Sequence, residues 1–197
     1  MRKRIKRGFR ISKHIIYRET LIDSKEHFWS FLGAFFGIGL IAFCQSYWLT
    51  KQENIFLIGS FGASSVLIYG AIESPLAQPR NLIGGHVVSA IVGVTVYKLL
   101  PDIIWLTAPL AVALSIVFMQ MTKTLHPPGG ATALIAVIGS ERIRTLGYGY
   151  VLSPVLTGCL FLFAVALIFN NITSHRTYPN SSRFTKTVKN LFINRNM

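Results

Sequence analysis

Thr124-Leu-His-Pro-Pro-Gly-Gly-Ala-Thr-Ala-Leu134 sits between apolar stretches, yet it holds two adjacent prolines and two adjacent glycines. Pro127 and Pro128 lack N–H donors and resist helical continuation, while Gly129 and Gly130 permit a sharp turn. A helix restarting near Gly130 would present the N–H groups of Ala131, Thr132 and Ala133 with the positive end of its dipole. Earlier in the chain, Gly62-Ala-Ser-Ser-Val-Leu-Ile68 aligns with Gly130-Ala-Thr-Ala-Leu-Ile-Ala136 and follows its own breaking stretch, Gly59-Ser-Phe61. Each copy leads into a polar connection, Glu73–Asn81 or Ser140–Tyr148, and then a long apolar run.

Working outward, six apolar stretches can be marked: Phe28–Leu49, Ile55–Ile72, Leu82–Leu100, Ile103–Met121, Thr124–Gly139 and Tyr150–Asn171. In the first, Trp29 and Trp48 stand roughly 28 Å apart along a helix, one hydrocarbon thickness between aromatic anchors. Three spans per repeat, 28–100 and 103–171, force the second copy to enter the membrane from the opposite side. The expected fold is therefore an all-α membrane protein of six transmembrane helices. They form two inverted three-helix repeats whose second and fifth helices are interrupted. Thr124–Gly139 is the shortest of the six.

Composition agrees with a membrane chain. Of 197 residues, 51% are hydrophobic and only 14% charged, where a soluble domain usually carries about 25%. Residues 1–27 hold nine Lys/Arg against three Asp/Glu, residues 28–174 six against four, and residues 175–197 five against none. Two basic tails flanking a nearly neutral middle disfavour a nucleic-acid-binding domain. They place both termini in the cytoplasm and suit contact with anionic lipids. In the second tail, Phe184, Val188, Leu191 and Phe192 fall at helical spacing with Lys186, Lys189 and Arg195 between them, the pattern of a surface-lying helix. The first apolar run, about 22 residues, is too long for a cleaved signal core. Residues 1–18 contain no acid and several arginines, but no extended transit segment follows, so a bacterial inner membrane is the expected location. On this topology the acceptor-like Asn171-Ile-Thr173 and Asn180-Ser-Ser182 face the wrong side for glycosylation. Cys44 and Cys159 are too far apart in an apolar setting to build a disulfide framework or zinc cluster.

The interrupted segments point to a binding site near the midplane. Two helix N-termini meeting there form an anion site without a fixed positive charge. Between Phe28 and Ser174 the acids are Glu53, Glu73, Asp102 and Glu141, all at span ends or in loops. Intramembrane carboxylates, the usual device for cation sites, are missing. The candidate site is His126, Pro127, Pro128, Gly129, Gly130, Ala131 and Thr132 on one side, with Ser60, Gly62, Ser64 and Ser65 on the other. His86 and His126 are each able to hydrogen-bond between helices, or to take up a proton when an anion arrives. They lack a third ligand for a metal, and no cofactor is implied. Gln78, Arg80, Asn81 and Lys123 are candidates for the pathway mouth, with Gln78 and Asn81 also able to cap the following helix. Gly33 and Gly37, and then Gly85, Ser89 and Gly93, form small-residue stripes for close contact within the chain or in a homo-oligomer.

Two strings, Ser74-Pro-Leu-Ala-Gln-Pro-Arg-Asn-Leu-Ile-Gly-Gly-His86 and Leu125-His-Pro-Pro-Gly-Gly-Ala-Thr-Ala-Leu134, resemble the HPP family of integral membrane proteins. The resemblance covers roughly residues 28–171. It implies a family often drawn with four spans, some of whose members carry cytoplasmic domains after the membrane region. Plant members are associated with nitrite transport across the chloroplast envelope, so the resemblance implies transport of a small anion, with nitrite foremost. Without the resemblance, a small monovalent anion is still the expected cargo. A channel for a neutral solute and a non-transporting membrane scaffold remain open beside it. An enzyme would need a nucleophile, metal cluster or acid pair, and none is visible in the sequence.

Overall fold

The computed structural model describes residues 24–48, 57–173 and 175–180. Most of the two basic tails, with the surface helix expected in the second, lies outside them, as do residues 49–56. In order come α1 (Ser24–Trp48), α2 (Gly59–Ser65) running into a π-helical turn at Val66–Gly70, and a 3-10 turn at Pro75–Ala77. Then follow α3 (Pro79–Leu99), α4 (Ile104–Met121), α5 (Pro127–Ile138), the short α6 (Glu141–Thr145), and α7 (Thr157–Phe169), entered through a π-helical turn at Val151–Leu156.

Among the described residues, four helices are long and apolar enough to cross a membrane: Ser24–Tyr47, Pro79–Leu99, Ile104–Met121 and Val151–Phe169. The other two expected spans contain much shorter helices. The twelve residues of α5 reach about 18 Å, against a hydrocarbon core of about 30 Å. The helical part of 59–70 is equally short. Apolar runs set the length of the buried chain, and Gly and Pro decide how much of it is helical.

The restart expected at Gly130 occurs three residues earlier, and the physical reason is local. Pro127 and Pro128 occupy the first two helical positions, where no intrahelical N–H bond is required and a fixed φ already suits the helix. The prolines begin α5.

Contacts at the helix ends fix the path. At one face, Ser30 Oγ donates to the Tyr69 carbonyl at 2.7 Å and Asn170 Nδ2 to the Ile68 carbonyl at 2.7 Å. On the same face Asn81 Nδ2 donates to the Leu125 carbonyl at 2.7 Å. At the other, Arg144 meets Asp102 at 3.3 Å and Tyr148 bonds Thr95 at 2.9 Å. The starts of α1 and α3 thus share a face with the ends of α4 and α7.

The larger core joins α1, α2, α3 and α7 through Phe61, Ile68, Tyr69, Leu82, Tyr150 and Leu162. A smaller one, including Val92, Ala111 and Ala133, joins α3, α4 and α5. Gly93 lets α3 touch α5: a Cβ there would sit 2.5 Å from the Ala133 carbonyl oxygen. The Gly33/Gly37 stripe is filled from within the chain, by the Tyr69 ring. Outward, Phe28, Phe31, Phe35 and Phe43 on α1 and Trp105 on α4 are exposed, as a lipid-facing surface requires.

Residues 175–180, read from the sequence as the beginning of a free tail, pack back across the Ser24 face. Arg176 is buried; its guanidinium donates to the Tyr69 carbonyl at 2.6 Å and lies 3.3 Å from Glu26 Oε2. Burial pulls the Arg176 pKa down from its ordinary value, and Glu26 pushes it back up. His175 pairs with the same carboxylate at 2.8 Å. Tyr178, whose phenol pKa burial raises, donates through Oη to the Ala77 carbonyl at 2.8 Å. Glu26 therefore joins the beginning and end of the described chain.

Candidate functional site

The two short helices lie against one another. Ser60 Oγ meets Thr132 Oγ1 at 2.9 Å, and Ser64 Oγ meets His126 Nε2 at 2.9 Å. Later residues of one segment pair with earlier residues of the other, so the segments run antiparallel. α3 forms the third wall and contributes His86. Its ring bridges both helices, with Nε2 2.7 Å from Ser64 Oγ and Nδ1 2.6 Å from Thr132 Oγ1. Ser60, Ser64, His86, His126 and Thr132 are all completely buried.

Small residues allow this convergence. A Cβ on Gly85 would lie 2.5 Å from His126 Cβ and 2.7 Å from the Thr124 carbonyl. A Cβ on Gly129 would lie 2.7 Å from Ser89 Oγ. The stripe of Gly85, Ser89 and Gly93 thus serves packing within the chain, and its serine faces the start of α5. Around the cluster, Phe61 approaches His86 edge-on and Tyr150 Oη donates to the Thr132 carbonyl at 3.2 Å.

One tautomer follows from the partners. His126 Nδ1 lies 2.8 Å from the Leu76 carbonyl, which can only accept, so Nδ1 carries hydrogen. In the neutral ring Nε2 is then a bare acceptor facing Ser64. The His86–His126 ring centroids are 5.0 Å apart with Ser64 between their Nε2 atoms. The result is a chain of amphoteric groups without a formal charge.

The structure brings together Ser60, Ser64, His86, His126 and Thr132 from the expected set. Pro128 and Gly129 are buried in the first turn of α5. Gly62 and Pro127 are exposed, and Gly130 and Ala131 are half-buried. Ser65 is buried, but its hydroxyl makes no hydrogen bond. The expected bouquet of free N–H groups is not there. Because α5 starts at Pro127, Ala131, Thr132 and Ala133 lie within the helical ladder. The prolines supply no donor, and Gly129 N–H goes to the His126 carbonyl at 2.8 Å. Side chains, rather than a bare helix end, supply the polar groups.

Three of the four mouth candidates, Gln78, Arg80 and Asn81, are likewise occupied. Gln78 precedes α3 without capping it; its amide donates to the Ile72 and Ser74 carbonyls, each at 3.0 Å. Its oxygen accepts Asn180 N–H at 2.9 Å. Asn81 reaches Leu125, and Arg80 donates to the Thr122 carbonyl at 2.9 Å. Lys123 is exposed in a left-handed turn with φ 56°. These contacts tie the α3 start to the segment that enters α5.

Sequence reading missed three participants. The Leu76 carbonyl left no trace in residue type. Tyr150 was marked only as the edge of a span. Ser89, a fully buried hydroxyl without a hydrogen bond, was hidden in a pattern that signals packing.

A model of the HPP transmembrane region matches residues 19–179. A transmembrane protein of Dictyostelium discoideum is 47% identical over 163 residues, covering 80% of this chain and 51% of the relative. A second from the same organism is 44% identical over 165 residues, covering 82% of this chain and 58% of the relative. The chain thus spans a little over half the length of these curated relatives. No solved structure matches it. With the His126-Pro-Pro128 string at the start of its second short helix, the chain belongs to the HPP transmembrane family.

Proposed function

We propose that this protein carries a small monovalent anion, with nitrite as the leading cargo, across the membrane through the crossing of its two short helices. The observation that carries the reading is the neutral, fully buried imidazole–hydroxyl cluster joining both helices. Polar groups in the membrane interior are costly and mark solute pathways. The described carboxylates, Glu26, Glu73, Asp102 and Glu141, all stand at helix ends or in connections, away from the cluster. An anion would meet no like charge there. Ser89, buried without a bond and close to Gly129, offers a free hydroxyl donor beside the cluster.

On the inverted-repeat reading, the cluster lies where the two short helices cross. Each half reads long, short, long: α1, 59–70, α3, then α4, α5, α7. Ser64 and Thr132, equivalent in the sequence repeat, flank the two nitrogens of His86. Each short helix covers about 18 Å, and their overlap from Ser60 to Ser64 spans only about 6 Å. Laid end to end with that overlap, the pair reaches about 30 Å, one hydrocarbon thickness. The Ser24 face, carrying Lys25, Arg80, Lys123 and Arg176, is then cytoplasmic, in a bacterial inner membrane on the original expectation.

The test is nitrite uptake into proteoliposomes containing the full chain, a Ser89→Ala variant or a His86→Ala variant, with empty vesicles as the blank. Uptake above the blank, lowered at least fivefold in both variants, is the expected result. Uptake equal to the blank with correctly folded protein overturns the anion reading. The charge-free cluster also suits a neutral solute. Urea flux that monovalent anions fail to inhibit would favour that second reading over the first.

A further inference from the structure

The hydrogen count around Ser64 is one short. Its hydroxyl has a single hydrogen and three neighbours: the Ser60 carbonyl at 3.1 Å, His86 Nε2 at 2.7 Å and His126 Nε2 at 2.9 Å. The Ser60 carbonyl only accepts. His126 Nε2 only accepts while that ring is neutral, because Leu76 holds the hydrogen on Nδ1. Thr132 Oγ1 donates its hydrogen to Ser60 Oγ. His86 does not escape the shortage: the Thr132 hydrogen is spent on Ser60, so Nδ1 of the neutral ring donates to Thr132 and Nε2 is a second bare acceptor facing Ser64. The Ser60 carbonyl already accepts a helical N–H within α2, so the two imidazole nitrogens compete for the Ser64 hydrogen, and whichever loses is buried unsatisfied.

One added proton removes the conflict. With a hydrogen on His126 Nε2, that ring donates to Ser64 Oγ, and Ser64 turns its own hydrogen to His86 Nε2. No heavy atom moves; one hydroxyl rotates. The added proton comes from water on one side of the membrane and forms the His126 Nε2–H bond. That bond breaks when the proton returns to water on the other side.

We infer that the His126–Ser64–His86 triplet is a proton-binding coupling site, so that each anion moves with one proton and without net charge. This rests on the anion-transport reading and adds the coupling ion to it. A cation on His126 without an anion would be an uncompensated charge in a dry interior, and so would an anion without the proton. The groups packed around the triplet do not supply a substitute charge. α2 gives Ser60 and Phe61, α5 gives Thr132, α3 gives His86, and the turn into α7 gives the phenol of Tyr150. From α4, Met119 Sδ approaches Gly85 and Gly129. Arg80, bonded to the Thr122 carbonyl, and the exposed Lys123 lie at the Ser24 face.

The experiment uses full-length protein in vesicles holding a pH dye, with nitrite outside and empty vesicles reporting permeation of the undissociated acid. Acidifying the outside should accelerate nitrite entry, with about one proton entering per nitrite. A potassium–valinomycin potential should change the rate less than twofold. Nitrite entry that follows the potential without proton entry overturns the coupling and leaves the transport reading standing. No nitrite entry in any arm overturns both. His126→Asn keeps an amide N–H for Leu76 but loses the titrating nitrogen, so its proton-to-nitrite ratio should fall at least fivefold whatever its rate. An unchanged ratio overturns the assignment to His126. Should that variant misfold, Ser64→Ala, which removes the bridging oxygen, is expected to lower the same ratio.

Discussion

Two buried polar clusters lie at opposite ends of the 59–70 segment, and they are built on contrary principles. Around Ser60 and Ser64 the groups are neutral, short and able to exchange donor and acceptor roles. Around Tyr69 a full guanidinium, Arg176, is held by backbone and side-chain oxygens and faces Glu26. A neutral cluster can change partners at the cost of a hydroxyl rotation. A buried charge cannot leave its partners without being stranded. The difference separates the part of the protein suited to handle a passing solute from the part suited to hold the helix ends together.

Removing the clasp should therefore have the largest effect on stability. Arg176→Met retains much of the buried volume but leaves Glu26 with only His175. Loss of about 3 kcal/mol is expected, the usual scale for breaking a buried pair. Thermal unfolding in detergent, followed by helical circular dichroism, would measure it. A change below about 0.5 kcal/mol would show that the strap merely rests on the surface, and the contrast between the clusters would collapse.

Next comes the packing both clusters depend on. Gly93→Ala puts a methyl 2.5 Å from the Ala133 carbonyl, where only backbone can yield. Forced separation of α3 from α5 should cost about 1 to 3 kcal/mol. It should also loosen the cluster, since His86 and Thr132 belong to those same helices. Equal stability with unchanged nitrite flux would mean that the close approach is not required by either.

Ser64→Ala is the converse of the Arg176 change. It deletes one hydroxyl and leaves His126 Nε2 without a donor, at an expected cost of about 1 to 2 kcal/mol. Its effect on coupling should exceed that of Arg176→Met, whose proton-to-nitrite ratio should remain within twofold of the parent. If Arg176→Met alters the ratio more, the clasp takes part in transport and the division between the clusters is wrong.

The long helices were legible because continuous apolar runs have one solution in lipid; Ile103–Met121 became Ile104–Met121. The short ones were legible as interruptions, but their lengths were not. An apolar residue near Ile55 or Leu125 reports depth without saying whether its backbone is helical. The alignment of Gly62–Ile68 with Gly130–Ala136 had already paired Ser64 with Thr132, and both hydroxyls contact His86. His86 and His126 were visible as residue types, but their common partner was not, because a serine reads alike in a kink and in a cluster. The Leu76 carbonyl and the burial of Arg176 were opaque for a deeper reason. A backbone oxygen has no residue signature, and one arginine beside a basic tail looks like the rest.

Gly62 offers the smallest and most discriminating change. It stood in the expected site because it aligns with Gly130, and a glycine beside a solute pathway lets the solute approach the backbone. Its surroundings say otherwise: it is exposed, lies inside α2, and a Cβ there would meet no atom within 4 Å. A glycine in a helix interior costs about 0.5 to 1 kcal/mol relative to alanine. Gly62→Ala should thus stabilise the protein by roughly that amount while leaving nitrite flux within twofold. Ser64, two residues on, turns inward and is fully buried, so a change of one heavy atom there should act on coupling. A Gly62→Ala variant that abolishes flux without loss of stability would place the pathway on the outer side of α2. The buried triplet would then be a structural tie like the clasp, and both polar clusters would hold the fold while solute passes elsewhere.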